Sequence, residues 1–254
     1  MSTKPIIEIK QLTTGFGKEY ILNKLDLDIY KGEILAIVGG SGSGKTTLLR
    51  SVLMLQSVNS GSIKILGHEA IGCSPKQAQQ LQRQWGVLFQ HNALFSSLTV
   101  FDNIAFPLQE STELTPGEIS SLVQLKLALV GLAPETANKY PSELSGGMEK
   151  RAALARAIAL DPHILFLDEP TTGLDPVSAG GLDELVLNLR ETLGLTVVMI
   201  THDLDTLWQA ADRVAFLGNG KVLAVDTIEN LTQSSIPLVH AYFSSPRARI
   251  KRRS

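Results

Sequence analysis

Apolar positions recur along this chain in two rhythms. Near the N-terminus they come in short, strand-like groups. Ile6–Leu12 is apolar-rich, and Leu25, Leu27 and Ile29 interleave with Lys24, Asp26 and Asp28, the pattern of a strand with one buried face. Lys31-Gly32 makes a turn, and Ile34–Val38 (ILAIV) follows as an unbroken apolar run. Such a run, ending in glycines, predicts a strand covered on both faces, as in a parallel sheet. Helical spacing then begins at Thr46 and lasts to Leu55, so strand, glycine-rich turn and helix form an α/β unit.

From about 91 to 160 the helical rhythm dominates. It predicts helices over Val100–Leu108, over Glu118–Val130 behind Pro116 and Gly117, and over Glu149–Leu160. Short apolar runs return at Ile164–Leu167, Val197–Ile200 and Val214–Leu217, and Gly218-Asn219-Gly220 before Val222–Val225 predicts a tight hairpin. The expected fold is α/β: a sheet core with N-terminal antiparallel strands and an inserted helical subdomain at about 91–160. One domain is expected over 1–235, with a C-terminal tail over 236–254.

Composition adds mainly exclusions. With 254 residues, 44% hydrophobic and 19% charged, the chain builds a core without staples. A net charge of −2 argues against a nucleic-acid partner. One cysteine, Cys73, rules out an internal disulfide or a cysteine-rich metal cluster. No run approaches the ~20 apolar residues of a membrane-spanning helix, and the first residues lack a signal peptide. The chain is expected to be soluble and, if it works at a membrane, to be held there by other chains.

The glycines after ILAIV carry the first chemistry. Gly39, Gly40, Ser41, Gly42, Ser43, Gly44, Lys45 and Thr46 match G-x-x-x-x-G-K-[ST] between a buried strand and a helix, and Thr47 continues into that helix. Glycines let the backbone curl with its N–H groups inward, and the helix N-terminus adds positive potential. Lys45 is expected on the β and γ phosphates of ATP, and the Thr46 hydroxyl on Mg²⁺. The second signal is Asp168-Glu169 at the end of Ile164–Leu167. In a parallel sheet the C-terminal strand ends form the ligand crevice. Asp168 is suited to hold Mg²⁺ directly or through water, and Glu169 to orient or deprotonate an attacking water.

Leu144-Ser145-Gly146-Gly147-Met148 closely resembles the LSGGQ signature of ABC ATPases. The resemblance runs from about residue 6 to 227. It implies a head-to-tail dimer in which ATP is sandwiched between one subunit's phosphate loop and the other's signature, contacted there by Ser145, Gly146 and Gly147. It further implies that Gln90 senses Mg²⁺ and the membrane partner, that Asp175 in Gly173-Leu174-Asp175 crosses the dimer, and that His202 contacts the γ-phosphate. Phe16, sixteen residues before Gly32, stands where the family stacks an aromatic on adenine, with Tyr20 a nearby rival. Met148 departs from the family's glutamine. The stretch from Ser145 to Pro176, with SGGM followed by a basic pair, and the run Phe95–Ile104 before Phe106-Pro107-Leu108 are similar to the ATPase subunits of Mce-type (Mla-like) lipid transporters. Importers of amino acids share much of this stretch.

The resemblance implies an ATPase subunit at the cytoplasmic face of a bacterial inner membrane, peripheral to it. Its implied partners are a second copy, a membrane permease subunit, an Mce-domain protein and a small cytoplasmic STAS-type accessory protein. A soluble ABC ATPase acting on ribosome or DNA is disfavoured by the single phosphate loop and the lack of heptads, and a non-hydrolysing regulatory module by the presence of Glu169 and His202. A permease helix is expected beside Gln90, where Leu94, Phe95, Leu98, Val100 and Phe101 either line a groove or form subdomain core. In the tail, Ile236, Leu238, Val239, Tyr242 and Phe243 are expected to anchor on the sister subunit, with Pro237 and Pro246 limiting helix. Arg247, Arg249, Lys251, Arg252 and Arg253 are expected to face the sister subunit or anionic lipid. Without those five, 18 Lys and Arg stand against 25 Asp and Glu, so the rest of the chain is acidic.

Overall fold

The computed structural model describes residues 4–16 and 19–244, apart from the side chains of Phe16 and Glu19. The chain divides into two compact units, 1–82 with 200–254, and 83–199. The first contains β1 (Pro5–Phe16), β2 (Glu19–Tyr30), β3 (Ile34–Val38), α1 (Lys45–Val52), β4 (Ser60–Ile65), β5 (His68–Glu69) and α2 (Pro75–Gln82). The second contains β6 (Trp85–Leu88), α3 (Val100–Ser111), α4 (Pro116–Leu129), two 3-10 turns, α5 (Gly146–Ala157), β7 (Ile164–Asp168), α6 (Pro176–Leu193) and β8 (Thr196–Ile200). The chain then returns to the first unit with α7 (Leu204–Ala210), β9 (Arg213–Gly218), β10 (Lys221–Asp226), α8 (Ile228–Thr232) and α9 (Pro237–Phe243).

In the first unit β1, β2, β4 and β5 form an antiparallel sheet in the order β2-β1-β4-β5. The strands bulge where Gln11 and Lys24 take positive φ, 51° each. The same unit carries β10-β9-β3. There β3 runs parallel to β9, from Leu35 opposite Arg213 to Val38 opposite Phe216. All five residues of β3 are buried, as a strand covered on both faces requires. The β9–β10 hairpin turns through Asn219 and Gly220, at φ 53° and 71°, left-handed values that a two-residue hairpin bend needs.

In the second unit the strand order is β8-β7-β6, with β6 parallel to β7 from Trp85 opposite Ile164 to Leu88 opposite Leu167. The alanine-rich α5 packs close to β6. A β-carbon on Gly86 would lie 2.0 Å from the Ala157 carbonyl oxygen, and Ala152, Ala153 and Ala155 are fully buried. Small residues let helix and strand approach to near backbone contact. Between residues 91 and 160 the described structure holds helices, 3-10 turns and loops and no strand, and the compact unit is wider, taking in β6, β7, α6 and β8.

The tail differs from its expectation. Pro237 opens α9 at its first turn, where a proline's missing N–H costs nothing, and does not limit the helix. Val239 and Phe243 bury in the first unit's own core with Val214, Phe216, Ile228 and Leu231, and Ile236 and Tyr242 pack against it. The boundary expected at 235 therefore cuts this cluster. These two anchors are occupied within the chain. Pro246 and the five basic residues lie outside the described residues.

Candidate functional site

The phosphate loop is built by close approach. Gly39 has φ 150°, and a β-carbon there would stand 2.3 Å from the Leu217 carbonyl oxygen. Gly44 has φ 102°, and its β-carbon would meet Leu22 Cδ2 at 2.6 Å. Gly44 is also the N-cap of α1 and offers no side-chain cap, and the first turn has no acidic residue. A helix start with no side-chain cap and no acidic residue suits an anion. Lys45 folds over the loop, its Nζ donating to the carbonyls of Gly39 at 2.8 Å and Gly40 at 3.1 Å. The Ser43 hydroxyl is buried with no hydrogen-bond partner among the described residues. A buried hydroxyl is costly unless something bonds to it, and a phosphate oxygen has the right chemistry. Thr46 is exposed and Thr47 half-buried. In the same unit His202 is exposed, next to fully buried Thr201, just beyond the end of β8. Phe16 closes β1 opposite Glu19, and its side chain lies outside the described structure.

The second unit holds the carboxylates. Asp168 ends β7, and Glu169 follows at φ 51° with its Oε2 accepting from Thr172 Oγ1 at 3.3 Å. A left-handed glutamate is strained, and such strain gathers at functional sites. Gln90 is exposed just past β6. Ser145 is the N-cap of α5, its hydroxyl accepting from Met148 N at 3.3 Å. The helix expected from Glu149 starts at Gly146, so both signature glycines form its first turn. Asp175 caps α6, accepting from the Val177 and Ser178 amides at 3.0 Å each and from Ser178 Oγ at 2.6 Å. The Ser178 hydroxyl, then its amide, hold the Asp175 carboxyl below the usual range, so it stays ionised. A β-carbon on Gly147 would lie 3.8 Å from Ser178, so the signature turn and the Asp175 turn are neighbours.

Two basic residues of α5, whose partners the sequence does not reveal, join this unit's parts. Lys150 is 3% exposed, and its Nζ donates to the Gln90 carbonyl at 2.9 Å. Burial pushes its ammonium below the usual lysine range, opposed by the charges of Glu149, Asp168 and Glu169. Arg156 donates to the carbonyls of Ala93 at 2.7 Å and Asn92 at 3.0 Å. Lys150 opens the basic pair after SGGM and Arg156 is a basic residue inside an alanine-rich helix, and neither pattern names a partner.

The run at 94–101 divides. Val100 is core, whereas Phe95 is 45% exposed and stacks edge-on with Phe106, 41% exposed, at 5.2 Å. Buried Asn103 braces this loop by accepting from Phe95 N at 2.8 Å and donating to the carbonyls of Phe95, Leu98 and Thr99.

Among the described residues no group of three or more His, Cys, Asp or Glu could hold a metal. The expected donors, the Thr46 hydroxyl, the Gln90 amide and the Asp168 carboxylate, are hard oxygen ligands. They fit Mg²⁺ that arrives with phosphates and retains waters, since that ion is seldom caged by protein alone. Among the described residues no helix is long and apolar enough to cross a membrane.

Residues 22–172 match the ABC transporter family. The intermembrane phospholipid transport system ATP-binding protein MlaF of Haemophilus influenzae is 43% identical over 229 residues, which cover 90% of this chain and 86% of that protein. The probable ribonucleotide transport ATP-binding protein mkl of Mycobacterium leprae is 39% identical, covering 95% of this chain and 69% of its own. The solved dimeric post-hydrolysis structure of the ATP-binding cassette MJ0796, bound to ADP and Pi, superposes with a TM-score of 0.78 at 30% identity, covering 87% of this chain and 98% of that one. On the family match and these identities, the chain belongs to the ABC transporter family, as one of its ATP-hydrolysing transporter subunits.

Proposed function

We propose that this chain powers phospholipid movement by an Mce-type (Mla-like) transporter, bound peripherally to the cytoplasmic face of a bacterial inner membrane. The similarity to MlaF across 90% of the chain carries the reading of cargo. In this reading the residues of Gly39–Thr47 hold the ATP phosphates, and Lys45 exchanges its two loop carbonyls for β and γ oxygens. Thr46, Asp168 and Gln90 hold Mg²⁺, which supplies charge neutralisation at the phosphates when bound. Glu169 positions the attacking water, His202 meets the γ-phosphate, and Phe16 stacks on adenine. Little covalent work falls to the protein, because phosphoryl transfer is mostly positioning and electrostatics.

Two copies sandwich two ATP head to tail, with Ser145, Gly146, Gly147 and Asp175 of one serving the nucleotide of the other. The uncapped first turn of α1 and the serine-capped first turn of α5 support this, being two separate anion-seeking helix starts in one chain. The exposed pair of Phe95, on a loop braced by Asn103, and Phe106, on α3, supports docking of a permease helix there. An Mce-domain protein and a STAS-type accessory protein complete the assembly.

The test is to purify the chain with its native membrane partners and reconstitute it in proteoliposomes holding a fluorescent phospholipid. ATP-dependent movement of the lipid is expected, abolished by Lys45→Ala. ATP-dependent uptake of an amino acid without lipid movement would assign the chain to an importer instead.

A further inference from the structure

The segment after β6 sits in an unfavourable backbone conformation. Asn92 and Ala93, in succession, have φ 59° and 54°. Alanine has no polar side chain to offset the left-handed clash. Asn92 Oδ1 is buried with no hydrogen-bond partner among the described residues. The hold on this segment comes from α5. Lys150 Nζ donates to the Gln90 carbonyl at 2.9 Å, while Arg156 Nη1 and Nη2 donate to the carbonyls of Ala93 and Asn92 at 2.7 and 3.0 Å. The Arg156 guanidinium also stands 5.8 Å from the Phe95 ring centroid. Two cations of one helix thus hold three carbonyls of a four-residue segment.

This is an expensive way to hold a loop if it need only be held. An ammonium at 3% exposure gives up nearly all its water, and an apolar side chain of similar volume would avoid that loss. An apolar side chain, however, leaves the Gln90 carbonyl without this partner and the segment free to leave its left-handed turn. A buried charge of this kind ties the segment to one register on α5. The same helix starts at Ser145, and from there to Arg156 it is a rigid rod of about 16 Å.

We propose that Lys150 and Arg156 are positioning residues that lock the Gln90 segment to α5, so that this segment and the Ser145 turn move as one piece. The proposal rests on the ATP-sandwich reading. There, Gln90 serves the ATP held by its own chain and Ser145 the ATP held by the sister copy. The lock therefore couples the two nucleotide sites of the dimer: ordering Gln90 around one ATP sets the signature turn against the other. Hydrolysis is then cooperative in ATP, and cooperativity depends on Lys150 and Arg156, neither of which touches nucleotide.

The full-length chain, as Lys150→Met, Lys150→Arg and Arg156→Lys variants beside wild type, tests this by hydrogen exchange with and without Mg²⁺ and a non-hydrolysable ATP analogue. In wild type the analogue slows exchange at both 90–95 and 145–149. In Lys150→Met without nucleotide, amides 90–95 exchange faster by about tenfold or more, strand 164–168 is unchanged, and the analogue then protects 145–149 alone. The Hill coefficient for ATP hydrolysis falls toward 1 while nucleotide affinity holds within about threefold, and Lys150→Arg restores both. Arg156→Lys, which keeps the charge but loses the fork, gives the same pattern and serves if Lys150→Met fails to fold. Wild-type protection at 90–95 in both variants, or loosening that spreads to 164–168, overturns the lock. A wild-type chain whose 145–149 amides ignore the analogue instead overturns the sandwich reading, and the coupling with it.

Discussion

Gly39 lies against Leu217: a β-carbon at residue 39 would stand 2.3 Å from the Leu217 carbonyl oxygen and 2.8 Å from Ser43 Oγ. The phosphate loop therefore leaves β3 pressed against the end of β9, and a side chain at that exit displaces it. Gly39→Ala is expected to weaken ATP binding by at least about tenfold while costing about 1–3 kcal/mol in stability. Titration with a fluorescent nucleotide and a thermal melt separate the two effects. Gly117→Ala is the control, because a β-carbon there meets open space. Equal nucleotide affinity in both variants would remove the loop from the site.

Glu169→Gln is expected to retain ATP and lose turnover by about 10²- to 10⁴-fold, the usual scale for deleting a group that handles the attacking water. The amide oxygen still accepts from Thr172 Oγ1, so the turn after β7 keeps its 3.3 Å contact. Hydrolysis and ATP retention are measured together, with a shift to dimer on sizing as the companion signal. Near-normal turnover would end the assignment of Glu169.

Ser145 supports a mixing experiment. Its hydroxyl caps α5 and its neighbours are the first-turn glycines, so Ser145→Arg crowds the signature without touching the phosphate loop. Homodimers of Ser145→Arg, and of Lys45→Ala, are each expected to lack an intact composite site. A mixture of the two chains regains one such site per heterodimer, read as nucleotide bound per dimer. No regain would break the head-to-tail arrangement.

The elements that the sequence showed most clearly are those with one simple burial pattern. Ile34–Val38 reads as a doubly buried strand and is β3, residue for residue. The N-terminal strands run longer than expected because Gln11 and Lys24 interrupt alternation with bulges. Helix α2 escaped notice because only Leu81 is buried along Pro75–Gln82, so it has no apolar stripe. The phosphate loop and signature were legible because glycine patterns encode backbone shape directly. The partners of Lys150 and Arg156 were not, because the carbonyls they hold are 60 or more residues away in the chain. A long-range hydrogen bond to backbone leaves no spacing to read.

Phe243 changes how the C-terminus is tested. It is buried with Val239, and its ring lies 6.3 Å from Phe216 and 5.1 Å from Tyr242. Deleting a buried aromatic of this kind leaves a cavity beside β9, so Phe243→Ala is expected to cost about 3–4 kcal/mol. Truncation after Ser235 removes Val239 and Phe243 together and is expected to destabilise the first unit outright. Any loss of ATPase activity in that truncation reports unfolding and says nothing about assembly. Truncation after Ser244 is the informative cut, since it spares α9 and removes the basic residues Arg247, Arg249, Lys251, Arg252 and Arg253. That variant is expected to melt like wild type and to bind vesicles containing anionic lipid more weakly, with the difference vanishing as salt rises. A truncation after Ser244 that melts normally but loses dimer in the presence of ATP would place the basic tail on the sister subunit instead. A truncation after Ser235 that melts like wild type would show that α9 contributes nothing to the core it packs against.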